Sequence, residues 1–194
     1  MKNIYLILTD TGTVLSNCIK LYTKDEYNHA SLALDSELLN VYSFGRKQLN
    51  NPFIGGFVKE DFNQDFFSSA KCQIYQITLS QEQLEIIYHH LIAFKLKQNE
   101  LHYNFLGLLG IALKQNWQRS DAYFCSQFIA YILEQSTVMH FSKPCYLITP
   151  TDLVQNLQTK LIYEGLLSNF LKNQNPEILP VLSEHFTNEK NFLK

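Results

Sequence analysis

Apolar and polar positions change their period along this chain, and the changes outline its elements. An apolar run before Asp10, Ile4-Tyr5-Leu6-Ile7-Leu8, predicts a first strand over 3–9, closed by a turn at Thr11-Gly12-Thr13. Over 14–24, Val14, Cys18, Leu21 and Tyr22 recur at helical spacing. Residues 28–35 then alternate strictly: Ala30, Leu32 and Leu34 fall on one face, and His29, Ser31, Ala33 and Asp35 on the other. A turn at Ser36-Glu37 leads to a second strand at 39–45, so 28–45 reads as a hairpin. Residues 46–70, broken by Asn50-Asn51-Pro52 and Gly55-Gly56, read as a long irregular loop, and 72–79 as another strand.

The helical half follows. Ser80 and Gln83 form a capping box for a helix to about 98, with Leu84, Ile87, Leu91 and Phe94 as its core stripe. Residues 104–115 are apolar almost all round and predict a buried helix. Asp121 is a candidate N-cap for a helix over 122–135, and Thr149-Pro150 starts a short one. Residues 160–169 predict a closing strand. The first 170 residues thus read as one domain, and 171–194 as a peripheral tail with a short helix near 177–186.

A length of 194 residues, 46% hydrophobic content and 18% charged content suit one well-packed domain. The net charge of −2 offers no basic field for nucleic acid, and no apolar stretch has the length of a transmembrane segment. The N-terminus lacks the pattern of a signal peptide, which predicts a cytoplasmic protein. The four cysteines, at 18, 72, 125 and 145, form no CxxC pair and match no zinc spacing, so free thiols are expected, with no metal and no cofactor. His89, His90, His140 and His185 read as surface residues, and Cys18, Cys72 and Cys145 as core or near-core thiols.

Cys125 is the thiol with a chemical context. It falls in the first turn of a predicted helix, where unpaired N–H groups and the helix dipole favour a thiolate and can donate to an oxyanion. A thiolate needs a base, and His29, at the start of a strand opposite its leucines, suits that role. Taken alone, the same two residues also suit a small core thiol and a strand-edge polar group.

A resemblance separates these alternatives. Tyr123-Phe124-Cys125-Ser126-Gln127-Phe128-Ile129 resembles the (F/Y)-C-S-(E/Q)-(F/L)-(V/I) nucleophile motif of the circularly permuted NlpC/P60 group. That group includes the YaeF/YiiX-like proteins and is related to the lecithin-retinol-acyltransferase-like enzymes. Asn28-His29-Ala30-Ser31-Leu32 resembles its histidine strand, Tyr103-Asn104-Phe105 the start of its preceding helix, and Thr149-Pro150-Thr151-Asp152-Leu153 its (S/T)-P-x-D-L segment. The four matches run in the family's order over about 3–165. The resemblance implies an α+β, permuted papain-like fold, with a small antiparallel sheet packed against helices. It further implies attack by Cys125 on a peptide, small-molecule or lipid-type amide or ester, through a thioester, with hydrolysis or acyl transfer to follow. A non-catalytic binding module on the same fold is the rival. The group's third residue, usually an acid behind the histidine, falls here on Ser43, which brings no negative charge. Tyr5 and Asn28 are candidate site-lining groups, or simply packing and strand-edge residues. Ser126 is a candidate oxyanion donor or an ordinary first-turn residue.

Overall fold

In the computed structural model, residues 1–10, 26–48, 51–104, 120–155 and 159–174 are described. Among these residues eight strands and four α-helices follow in order: β1 (Lys2–Asp10), β2 (His29–Ala33), β3 (Val41–Gln48), β4 (Asn51–Glu60), β5 (Lys71–Leu79), α1 (Gln81–Leu96), β6 (His102–Tyr103), β7 (Ala122–Tyr123), α2 (Cys125–Gln135), α3 (Pro150–Val154), β8 (Thr159–Leu166) and α4 (Leu167–Gln174). Six of the strands form one antiparallel sheet in the order β4-β3-β2-β1-β5-β8, packed against helices, so the chain is α+β.

The central strand is covered on both faces. In β1, Ile4, Leu6 and Leu8 belong to the larger core with Leu84, Ile87, Leu91 and Phe94 of α1 and Phe128, Ile129 and Ile132 of α2. Ile7, which points the other way, joins a second cluster with Ala33, Val41, Phe62, Phe67, Ile74, Leu167 and Phe170. The period-two pattern of β2 splits the same way, with Ala30 and Leu32 in the first core and Ala33 in the second. An aromatic cluster locks α2 to the sheet: Phe128 lies 5.3 Å from Phe44, 5.6 Å from Phe57 and 5.1 Å from Phe94, centroid to centroid.

Three expectations are corrected. Residues 46–70 are not a long loop, because 51–60 pair with β3 as β4, Tyr42 opposite Lys59 and Gly45 opposite Gly56. Pro52 and the glycine pair masked this strand. An edge strand tolerates a missing N–H, and the glycines have a packing reason given below. Asp121 is not the N-cap of α2. Ala122-Tyr123 instead pairs in parallel with His102-Tyr103, so the helix begins at Cys125 with Phe124 at the cap position. Gln127 supplies half a capping box, its Oε1 accepting from the Phe124 N–H at 3.4 Å. Finally, the closing strand expected over 160–169 ends at Leu166, and Leu167–Gln174 is helical, with Leu167 and Phe170 buried in the second cluster. The Ser80–Gln83 capping box is formed in full, as is one between Thr149 and Asp152. The helices expected over 14–24, 104–115 and 177–186 lie outside the described residues.

Candidate active site

The parallel pairing of β6 with β7 holds Tyr123 in extended conformation until Phe124, and this fixes Cys125 as the first residue of α2. Backbone hydrogen bonds from the His102 N–H to the Asp121 carbonyl and from Asn104 to Tyr123, both 2.9 Å, hold that junction. Cys125 is thereby placed against β2. Its sulfur takes hydrogen bonds from the His29 side chain and from the backbone N–H groups of Ala30 and Ser126.

His29 engages a second partner. Its Nε2 lies 2.8 Å from Oε1 of Glu60, the last residue of β4, which leaves Nδ1 as the ring nitrogen for the sulfur. The other oxygen of Glu60 accepts from Ser31 Oγ at 2.5 Å. A chain of contacts thus runs from carboxylate to imidazole to thiol. It is well shielded from water: Cys125 is 2% exposed, and the side chains of His29 and Glu60 are 15% and 8% exposed.

Shielding strengthens charge interactions and raises the cost of any unpaired charge. Burial alone would push the Cys125 thiol up. The hydrogen bond and positive charge of His29, with the N–H groups of Ala30 and Ser126, bring it below its usual range instead. Burial opposes protonation of His29, but the Glu60 charge, then the bonds to Cys125 and Glu60, raise its pKa to about 10. Burial would likewise raise the Glu60 carboxyl. His29 and the hydroxyls around it hold it below the usual carboxylate range. All three shifts act in the direction of a thiolate, imidazolium and carboxylate array. The other described thiols are different in kind. Burial raises Cys72 to about 12. Burial, together with a 2.9 Å contact to Glu134, does the same to Cys145.

Glu60 is the acid that the sequence did not reveal. Ser43, expected behind the imidazole, is fully buried, and its hydroxyl makes no hydrogen bond of good geometry among the described residues and only adds its dipole in support of the Glu60 carboxylate. The next residue on that face, Gly45, makes the arrangement possible. A Cβ there would sit 3.2 Å from Ser43 Oγ and 3.3 Å from Glu60 Oε1, in the space through which the carboxylate reaches His29.

Tyr103 is the second residue missed as a site group, having been noted only as part of a motif. Its buried hydroxyl is hydrogen-bonded to Cys125. Burial and the thiolate charge hold that hydroxyl protonated, well above the usual phenol range, so it is a donor to the sulfur. Its position rests on the glycines of β4. A Cβ on Gly55 would fall 2.7 Å from Tyr103 Cβ, and one on Gly56 would fall 2.5 Å from the Leu101 carbonyl oxygen. Only a bare backbone lets the 101–103 segment cross the strand this closely.

The remaining candidates separate from the centre. The Ser126 hydroxyl is occupied, donating to the Ile148 carbonyl at 2.6 Å, and only its backbone N–H reaches the sulfur. Asn28 is buried and donates to Asp10 at 3.1 Å. Tyr5 pairs with Ala33, at the far end of β2 from His29, and packs on the second cluster. His89 and His140 are exposed, and His90 is half-buried with its ring 5.5 Å from Tyr131. Cys72 is buried in the second core, while Cys18 and His185 lie outside the described residues.

No family model and no curated protein matches the sequence. A solved structure does share the fold: that of the metalloprotein YiiX from Escherichia coli O157:H7, at a TM-score of 0.55 and 13% identity, over 84% of this chain and 97% of YiiX. At that identity the likeness concerns architecture alone, and it gives the chain a YiiX-like α+β fold.

Proposed function

We propose that this chain is a cysteine hydrolase of the permuted papain-like, NlpC/P60 type, acting on an amide or ester carbonyl. The observation that carries the reading is the buried relay Glu60–His29–Cys125, with the sulfur at a helix N-terminus. The Cys125 thiolate attacks the carbonyl carbon and forms a tetrahedral intermediate. The Ser126 N–H and the Tyr103 hydroxyl, both already directed at the sulfur, are suited to the developing oxyanion. The His29 imidazolium gives its proton to the leaving amine or alcohol as the C–N or C–O bond breaks, leaving a thioester on Cys125. Neutral His29 then takes a proton from water, which attacks the thioester and releases the acid and the thiolate. Glu60 fixes the ring orientation and stabilises the imidazolium, the role for which Ser43 lacked the charge.

YiiX is a metalloprotein. In this chain no group of three or more His, Cys, Asp or Glu side chains is gathered among the described residues, and the ring nitrogens of His29 face Glu60 and Cys125. No step here is routed through a metal. No helix among the described residues is long and apolar enough to cross a membrane. One domain, with α4 packed on its second cluster, carries the residues that the reaction uses.

The test is direct. Incubation with 4-nitrophenyl butyrate at pH 7 is expected to release nitrophenolate and leave a butyryl thioester on Cys125, and Cys125→Ser is expected to do neither. Iodoacetamide at pH 6 is expected to label Cys125 ahead of Cys72 and Cys145. Absence of the acyl adduct, with Cys125 labelled no faster than the other two, would leave only a binding module. Added alcohol or amine acceptors distinguish hydrolysis from acyl transfer by their product.

A further inference from the structure

Glu60 and His29 do not stand on neighbouring strands. β3 lies between β4 and β2, and Glu60, the last residue of β4, is opposite Val41 of β3. Its side chain therefore reaches across a whole strand, over Gly45, before it meets the imidazole. A glutamate side chain turns about several bonds, so strand pairing by itself does not fix where its carboxylate lies. Two hydrogen bonds do. Oε1 meets His29 Nε2 at 2.8 Å, and Oε2 accepts from Ser31 Oγ at 2.5 Å. His29 and Ser31 occupy alternate positions of β2 and so share a face, which lets one strand grip both oxygens. An ionised carboxylate only accepts, so Ser31 is the donor, and the short contact is that of a charge-assisted O–H···O bond. Ser31 is fully buried, and the Glu60 side chain nearly so. Burial pushes the Glu60 carboxyl up, the charge and hydrogen bond of His29 bring it down, and the Ser31 hydroxyl adds to them. Ser43 supplies the contrast, being as deeply buried but without a hydrogen bond of good geometry among the described residues.

We infer that Ser31 is a positioning residue of the relay: its hydroxyl takes one oxygen of Glu60 and thereby turns the other onto His29. The inference rests on the proposed role of the Cys125 thiolate, which Ser31 reaches only through Glu60 and His29. Without the hydroxyl, Oε2 is a buried acceptor with no partner, a state relieved by rotation of the carboxylate or by uptake of a proton. Either response loosens the hold on the imidazolium, and Cys125 loses part of the charge that favours its thiolate. The opposing account is that Ser31 only fills space in the sheet.

The pH dependence of iodoacetamide labelling at Cys125, mapped by mass spectrometry in the whole protein, separates the two accounts without a known substrate. Ser31→Ala removes a single oxygen. Its labelling rate at pH 6 is expected to fall about tenfold, as the apparent titration of the sulfur moves up by about one pH unit. At high pH, where the thiol is ionised in both proteins, the two rates are expected to meet. A space-filling role would change the rate at every pH alike, or not at all. Ser43→Ala, an equal excision at equal burial, is expected to move the profile much less. In a Glu60→Gln background the effect of Ser31→Ala is expected to vanish, because the group through which Ser31 acts has lost its charge. Ser31→Cys, close in size and a poor donor, takes the place of Ser31→Ala if that variant does not fold. A Ser31→Ala profile coincident with wild type overturns the inference, as does an equal displacement in Ser43→Ala or one that survives Glu60→Gln. Each of these leaves the proposed function standing. A wild-type Cys125 labelled no faster than Cys72 and Cys145 instead overturns that function and the inference with it, so the two failures are distinguishable.

Discussion

Glu60→Gln tests the central electrostatic claim most directly, because the exchange keeps the shape of the side chain and removes its charge. Two opposite unit charges 2.8 Å apart attract by about 6 kcal/mol at an effective dielectric of ~20. Desolvation of the nearly buried pair offsets part of this, and removing one partner from such a pair typically costs roughly 3–5 kcal/mol. The damage passes through His29. Its raised pKa depends first on the Glu60 charge, with burial acting against it, so without that charge the imidazolium loses its support. Cys125 then loses the positive charge and the proton-bearing ring that lower its own pKa, while its burial remains. The assay is the pH dependence of iodoacetamide labelling at Cys125, read by mass spectrometry. The wild-type rate should stay high well below the ordinary thiol range. The Glu60→Gln rate should fall at pH 7 and recover only as the thiol titrates at higher pH. Where turnover is measured, loss of the orienting acid should reduce kcat by about 10⁴, as it does in related triads. Identical labelling profiles for the two proteins would refute the claim that Glu60 sustains the ion pair.

Three further outcomes follow from named contacts. Gly55→Ala places a Cβ 2.7 Å from Tyr103, and overpacking of this sort costs about 1–3 kcal/mol. Urea unfolding should show that loss, and an unchanged midpoint would mean that the segment yields freely. Phe128→Ala empties the centre of the aromatic cluster and should destabilise by roughly 3–5 kcal/mol in the same assay, with a loss below 1 kcal/mol counting against the packing described. The third concerns pH. The His29 pKa is raised in the folded state from 6.5 to about 10, so its contribution is full below about 6.5 and is lost as pH rises toward 10. That of Glu60 is lowered from 4.5, so its contribution is present above about 4.5 and is lost on acidification. In Cys125→Ser, which removes the thiol's own titration together with its share in raising His29 but leaves the Glu60 charge, stability should therefore peak between these limits and decline as pH rises above about 6.5. Adding Glu60→Gln should flatten that decline, and an equal slope in both proteins would sink the assignment.

Much of this architecture follows from the sequence by itself, because it rests on local periodicity and local chemistry. Alternation over 28–35 marked β2 and put His29 and Ser31 on one face. Ser80 with Gln83, and Thr149 with Asp152, are boxes whose partners lie three residues apart and need no tertiary context. Cys125 stood out by its place at a helix start together with the ordered motifs around it. The tertiary structure decided what depends on distant pairings. Residues 51–60 carry breakers that hide a strand until β3 is there to pair with it, and only that pairing brings Glu60 back to His29, thirty-one positions earlier in the chain. The N-cap was misplaced for the same reason, since β7 exists only through its pairing with β6. Ser43 occupies the position the family pattern pointed to, but a carboxylate entering from the next strand, over a glycine, reaches the imidazole instead. Sequence thus singled out the candidate nucleophile and its candidate base through short-range signals. The acid behind them and the hydroxyl in front are products of strand pairing and of close approach over bare backbone, which no local pattern encodes.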